Sequence, residues 1–179
     1  YYCRGFNVHK IANLRSLLSK TEIWFLQEHW LSEDQLRLLV DIDPQFVFSG
    51  VSWFGNNEIL SGRPFGGCAI LWRSSLSASF EILPTSSRRI CALRMSSSSE
   101  EIKLLFVTVQ MPYEGDEAMT ADFADQLNEI ENLVSKNNDC HVIIGGDFNV
   151  DFSRDRLHTA MLDSFCDNMG LDTIVRHAK

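Results

Sequence analysis

Asp147, Asn149 and Asp151 stand at alternate positions in the stretch HVIIGGDFNVDF, directly after an apolar run that ends in two glycines. Alternate residues of a strand face the same side, so Asp147 and Asn149 would point together into the space beyond a sheet. Carboxylate and amide oxygens are groups that hold Mg²⁺. The same residue types also form ordinary turns, so this pattern leaves a plain turn at a strand end as the alternative.

A second acidic residue, Glu28, ends another predicted strand in the stretch FLQEHWL. Catalytic and binding groups often gather where strand ends open onto loops. Taken together, the two strand ends favour a site for a hard divalent cation. For Glu28 alone, the alternative is a carboxylate that interacts with the N-terminal dipole of the following helix.

The elements that must position these side chains are a mixture of strands and helices. Short apolar runs rich in β-forming residues predict strands at EIWFLQ, QFVFSGV, GCAILWR, RRICALRM, EIKLLFVTVQ and HVIIGG. Helices are predicted by apolar residues at helical spacing and by a Ser32–Gln35 capping box. Four helices are predicted: one marked by Ile11, Leu14 and Leu18, one at SEDQLRLLV, one from Phe123 to Val134, and one from Leu157 to Met169. Gly170 is the predicted C-cap of the last helix.

Composition limits the classes of protein to consider. A chain of 179 residues that is 45% hydrophobic predicts one core and a single domain over residues 1–179. The five cysteines are scattered without any C-x-x-C pair, which favours reduced thiols. No run of about 18 apolar residues is present, so we expect an intracellular protein without a membrane partner. The net charge of −8 offers nucleic acid no general attraction, so DNA binding would need a cation or local arginines.

Five stretches carry a resemblance to a known family: CRGF, FLQEHWL, GRPFGGCAILWR, VQMPYEGD and IIGGDFNVD, in this order. The chain resembles the endonuclease domain of non-LTR retrotransposons, a branch of the endonuclease/exonuclease/phosphatase superfamily that includes apurinic-site endonucleases. The resemblance covers essentially the whole chain. It implies an α/β fold of two mostly antiparallel sheets packed face to face with helices outside, a deoxyribonuclease I-like sandwich, here with its C-terminal strands missing.

The resemblance also implies roles for individual residues. Asp147 would orient or deprotonate the attacking water, Asn149 would help to position the phosphate, and Glu28 would hold the metal. The implied cofactor is Mg²⁺, with Mn²⁺ as an alternative, and the implied partner is DNA. Candidate DNA contacts are the arginines Arg63, Arg88 and Arg89, whose alternative is a solvated loop position. A reverse transcriptase domain in the full polypeptide and a nuclear location on chromosomal DNA are further expectations.

Three departures from the family pattern predict impaired activity. Relatives carry an Asn that reaches the metal site where this chain has Tyr2, and a phosphate-binding Tyr where it has Gln110. A phenol cannot replace a short amide, and Gln is shorter than Tyr and has no aromatic face. Relatives also continue to a Ser-Asp-His element, so we expect a domain that is incomplete at its C-terminus.

Three functions remain open from the sequence. The first is a metal-dependent DNA endonuclease domain, and the second is a non-catalytic remnant or binding module with the same fold. The third is a superfamily phosphatase, which would share GDFN but would not be expected to show CRGF and MPYEGD.

Overall fold

The computed structural model describes residues 1–6, 8–55, 62, 64–99 and 101–174. Arg63 therefore lies outside the described residues. The described strands are β1 (Ile23–Gln27), β2 (Phe46–Val51), β3 (Cys68–Arg73), β4 (Ala78–Leu83), β5 (Ile90–Ser97), β6 (Lys103–Gln110) and β7 (His141–Asp147). The α-helices are α1 (Ile11–Leu18), α2 (Glu117–Lys136) and α3 (Leu157–Met169), and Val8–Lys10 and Glu33–Asp41 form 3₁₀ helices.

The strands form two sheets, as the sequence predicts for this fold class. The first has the order β1-β3-β2 and is antiparallel throughout. The second has the order β4-β5-β6-β7, in which β6 and β7 are parallel because α2 carries the chain back to the starting edge. Parallel pairing brings the ends of β6 and β7 to the same edge, where Gln110 is the register partner of Asp147.

Three apolar clusters hold the layers together. The sheets pack face to face through buried residues of β3, β5 and β6, including Ile70, Leu93 and Phe106. Helices α2 and α3 cover the outer face of the four-stranded sheet through residues such as Phe123, and α1 with the second 3₁₀ helix covers the three-stranded sheet through residues such as Leu14. The α/β sandwich with helices outside is therefore confirmed.

Close contact between the sheets depends on small residues at specific points. Phe25 of β1 meets Phe106 of β6 edge to face, with ring centroids 6.1 Å apart. The Phe25 ring also presses on Gly145 of β7, where an added Cβ would lie 2.7 Å from Phe25 Cδ2. Gly145, one of the two glycines that precede Asp147, therefore makes room for the Phe25 ring between the sheets.

Most predicted elements are present, with two differences. Strand β4 was not predicted, because Ser79 and Glu81 interrupt its apolar residues and leave no apolar run. The segment after Ser32 was predicted as an ordinary helix and is a 3₁₀ helix, although the Gln35 side chain does accept from the Ser32 N–H at 3.2 Å. Gly170 caps α3 in the left-handed conformation, as predicted. No helix in the described ranges is long and apolar enough to cross a membrane.

Candidate active site

Glu28 lies immediately after β1 and is only 8% exposed. Three N–H groups converge on its carboxylate. Oε2 accepts from the indole Nε1 of Trp30 and from the backbone N–H of Gly66 at 3.2 Å, and Oε1 accepts from the side-chain amide of Gln110. A buried carboxylate of this kind is stable only because hydrogen bonds replace its water.

The backbone around Glu28 is strained. Glu28 and Trp30 both have φ of 61°, in the left-handed region that non-glycine residues rarely adopt. Backbone hydrogen bonds to the facing loop hold this conformation, from Glu28 N to Gly67 O at 2.9 Å and from Trp30 N to Gly66 O at 3.0 Å. Strain of this kind persists where the surroundings fix it and is typical of functional sites.

His29 locks the same turn from inside the protein. Its ring is fully buried, and burial lowers its pKa to about 4, so the imidazole is neutral at neutral pH. Nδ1 accepts from the Leu31 N–H at 3.0 Å, so Nε2 carries the proton and donates to Val51 O at 3.1 Å. Gly67 is required beside this ring, because its φ is 86° and an added Cβ would lie 2.2 Å from the imidazole. His29 is thus a positioning residue for the Glu28 turn.

Asp147 and Asn149 are held at the end of β7 by the segment that follows β6. The Met111 N–H donates to Asp147 O at 2.8 Å, and the Asn149 side-chain amide donates to Met111 O at 2.7 Å. The Asn149 N–H also donates to Asp147 Oδ1 at 3.2 Å. Asn149 has φ of 51°, a conformation that Asn tolerates better than most residues. This bond to Met111 O uses one N–H of the side-chain amide, which leaves the second N–H to donate to a ligand such as a phosphate oxygen.

Glu28 lies close enough to Asp147 and Arg89 for their charges to interact. Burial raises the pKa of Asp147, the hydrogen bond from the Asn149 N–H opposes this rise, and the negative charge of Glu28 adds to it. Burial lowers the pKa of Arg89, and the carboxylates of Asp122 and Glu28 oppose that change. The structure therefore brings Glu28, Asp147 and Asn149 together around Gln110, with Arg89 close to them.

The two described candidate arginines differ in their surroundings. Arg89 is half-buried, donates from Nε to Asp122 Oδ2 at 3.0 Å, and lies 4.0 Å from the Trp53 ring centroid. Arg88 is exposed and donates from Nη1 to Trp53 O at 3.1 Å. Tyr2, one of the departures noted above, is 46% exposed, and the Arg4 guanidinium lies 5.6 Å from its ring centroid.

The oxygen ligands at this site can be compared with those that a metal ion requires. Among the residues that the structure describes, no group of three or more His, Cys, Asp or Glu side chains is placed to bind a metal ion. Two nearby carboxylates, Glu28 and Asp147, suit Mg²⁺ or Mn²⁺, because Mg²⁺ takes one or two carboxylates and keeps several waters. The three N–H donors leave Glu28 about one of its four lone-pair positions. The residues fit a hydrated Mg²⁺, with the Gln110 amide competing for Glu28.

Sequence reasoning missed the groups that hold Glu28. Trp30 and Gly66 donate to its carboxylate, and Gln110 was noted only as a substitution at a phosphate-binding position. The available signals were an indole two residues after the acid in FLQEHWL and the glycine pair in PFGG. The pattern does not reveal the Gly66 and Gln110 donors, because they come from segments far from Glu28 in the chain.

The chain matches the model of the Endonuclease/Exonuclease/phosphatase family over residues 3–172 and belongs to that family. A sequence comparison with curated proteins returns no match. Among solved structures, the chain is similar to the endonuclease domain of TRAS1, a telomere-specific non-LTR retrotransposon. The TM-score is 0.70 at 14% identity, covering 97% of this chain and 72% of that chain.

Two further structures support the same fold. The AP endonuclease LMAP from Leishmania major gives a TM-score of 0.68 at 12% identity, over 94% of this chain and 65% of that chain. The 3′ phosphatase NExo from Neisseria, in a structure bound to a product DNA hairpin, gives a TM-score of 0.60 at 15% identity, over 93% of this chain and 68% of that chain. The chain thus spans about two thirds of the length of these structures.

Proposed function

We propose that this chain is a divalent-metal-dependent nuclease domain that hydrolyses phosphodiester bonds in DNA, of the type that non-LTR retrotransposons carry. One observation carries the proposal: Gln110 donates to Glu28 and is the register partner of Asp147, so the two carboxylates lie near each other at the ends of strands from different sheets. Family membership and the likeness to nuclease structures support it.

In the proposed reaction, Asp147 accepts a proton from the attacking water. The Asn149 side chain, fixed by its bond to Met111 O, holds the phosphate in place. Glu28, with Asp147 beside it, would hold Mg²⁺, which supplies positive charge to the phosphoryl oxygens when bound.

We further propose that turnover is slow. Gln110 donates to the Glu28 oxygen that a cation would use, and Tyr2 packs near Arg4 where relatives carry an amide. Removing one preorganised group from a site of this kind typically costs about 10²–10³ in rate. The same observation favours a second candidate, a non-catalytic DNA-binding module of the same fold, because Glu28 is already satisfied without metal.

The biological setting belongs to the same proposal. A reverse transcriptase domain in the full polypeptide would use the nicked strand as a primer, and action on chromosomal DNA would require a nuclear location. We also propose that residues 1–179 form a single domain of this family.

The test is conversion of supercoiled plasmid to the open circle with Mg²⁺ or Mn²⁺ over long incubations. We expect slow nicking that is lost in EDTA and in Asp147→Ala and Glu28→Gln, each purified identically. Asp151→Ala is the matched control, since the Asp151 side chain bonds to Ser153 and Arg154. Nicking that survives Asp147→Ala would contradict the proposed roles, and no nicking above Asp147→Ala would favour the binding module.

A further inference from the structure

Two aromatic rings and a guanidinium form a cluster beside the candidate site. The rings of Trp53 and Phe65 tilt against each other with centroids 5.6 Å apart, and the Arg89 guanidinium lies 4.0 Å from the Trp53 ring centroid. The Arg89 Nε also donates to Asp122 Oδ2 at 3.0 Å, which fixes the guanidinium. Phe65 is 48% exposed, so one ring of a well-supported cluster faces solvent.

The backbone ties this cluster directly to Glu28. Gly66 follows Phe65, and its N–H donates to Glu28 Oε2 at 3.2 Å. Gly66 also approaches Trp53 closely, since an added Cβ would lie 2.8 Å from Trp53 Cβ. On the other side, Arg89 Nη1 donates to Gln110 O at 3.3 Å. The aromatic cluster therefore lies next to the candidate site, on the loop that also bonds to Glu28.

An exposed aromatic ring beside an arginine is suited to bind a nucleobase. Aromatic side chains stack on bases of any sequence, and a neighbouring arginine supports binding of the charged backbone. Arg88 adds positive charge at the same place, with Nη1 bonded to Trp53 O at 3.1 Å. This local charge matters because the chain as a whole carries −8. Bases inside a duplex are already stacked on each other, so an unpaired base can use the exposed ring without the cost of unstacking a base step.

We propose that Phe65, supported by Trp53 and Arg89, is a stacking platform for an unpaired nucleobase next to the bound phosphodiester. The site would thus select DNA that is single-stranded or locally unpaired at the point of cleavage. This inference rests on the proposed function for the position of the phosphate. Stacking itself requires neither a metal ion nor hydrolysis.

Binding is measured by fluorescence anisotropy in EDTA and low salt, with fluorescein-labelled oligothymidylate and a labelled duplex of the same length. We expect the wild type to prefer the single strand. Phe65→Ala should weaken single-strand binding by about 5-fold to 150-fold, since one stacked base contributes about 1–3 kcal/mol. Phe65→Tyr should retain the affinity, and Phe65→Leu, which keeps an apolar surface without a π face, should lose most of it.

The matched control is Ile82→Ala, which removes an exposed apolar side chain from edge strand β4. It should leave binding unchanged, and thermal melting should show that every variant is folded. Equal affinity of wild type and Phe65→Ala, or no preference for the single strand, would overturn the platform. If Phe65→Ala weakens single-strand binding but the wild type shows no metal-dependent nicking, the platform stands and the proposed nuclease function is refuted. If nicking depends on Asp147 but Phe65→Ala binds normally, only the platform is refuted.

Discussion

The side-chain amide of Gln110 donates a hydrogen bond to Oε1 of Glu28, joining the end of β6 in one sheet to the residue after β1 in the other. Glu28 thereby has three N–H donors and is electrostatically satisfied in a buried position. A divalent cation would have to compete with this amide for the same oxygen. The contact therefore links the fold of the two sheets to the strength of metal binding.

Replacing Gln110 should strengthen metal binding. Gln110→Ala removes the competing donor, and a hydrogen bond to a charged group contributes about 1.5–3 kcal/mol, so Mn²⁺ affinity should rise by about 10-fold to 150-fold. Titration calorimetry or Mn²⁺ electron paramagnetic resonance measures this directly, without any activity. Gln110→Tyr, which introduces the residue of the relatives, should also raise the nicking rate. Gln45→Ala, at a surface position bonded to Arg73, is the control, and unchanged affinity in Gln110→Ala would refute the competition.

Substitution of Asn149 separates its backbone role from its side-chain role. Asn149→Ala and Asn149→Gly both lose the 2.7 Å bond to Met111 O, but only Gly adopts φ of 51° freely. Asn149→Gly should therefore be more stable than Asn149→Ala by about 1 kcal/mol in urea unfolding. Both variants should lose phosphate positioning and hence nicking. An alanine variant as stable as the glycine variant would show that φ at this position is not strained.

Gly67→Ala should collapse the turn that holds Glu28. Its φ of 86° disfavours any side chain, and the new Cβ would lie 2.2 Å from the buried His29 ring. Gly170→Ala is the matched control, because it has φ of 64° but no atom within 4 Å of an added Cβ. Gly170→Ala should cost about 1 kcal/mol of unfolding free energy, and Gly67→Ala about 3 kcal/mol or more. Similar losses in urea unfolding would mean that the His29 contact relaxes without cost.

His158 offers a substitution that should stabilise the protein. Its ring is buried, stacks on Phe123 with centroids 4.1 Å apart, and has no hydrogen-bond partner within the described structure for either nitrogen. His158→Phe keeps the stack and removes two unsatisfied polar atoms, so we expect a gain of about 1 kcal/mol or more. The exposed position His141→Phe should show no such gain. A loss of stability in His158→Phe would reveal a partner for the ring.

The sequence by itself determined the local elements and the identity of the main candidates. Glu28 and Asp147 end strands whose apolar runs are visible in FLQE and HVIIGGD, and the second run is visible although β7 is an edge strand without a buried residue. The motif resemblance predicted the sandwich, and family membership agrees with it. The edge strand β4 escaped prediction, since polar residues interrupt its sequence ASFEIL and leave no continuous apolar run.

Only the tertiary structure decided how the candidates meet. Gln110 and Asp147 are neighbours because β6 and β7 are parallel, and Gln110 reaches Glu28 because the two sheets pack face to face. Contacts of this kind join residues far apart in the chain, and local propensity carries no information about them. The same reason applies to Phe65, whose place beside Trp53 and Arg89 turns an ordinary loop aromatic into a candidate binding surface.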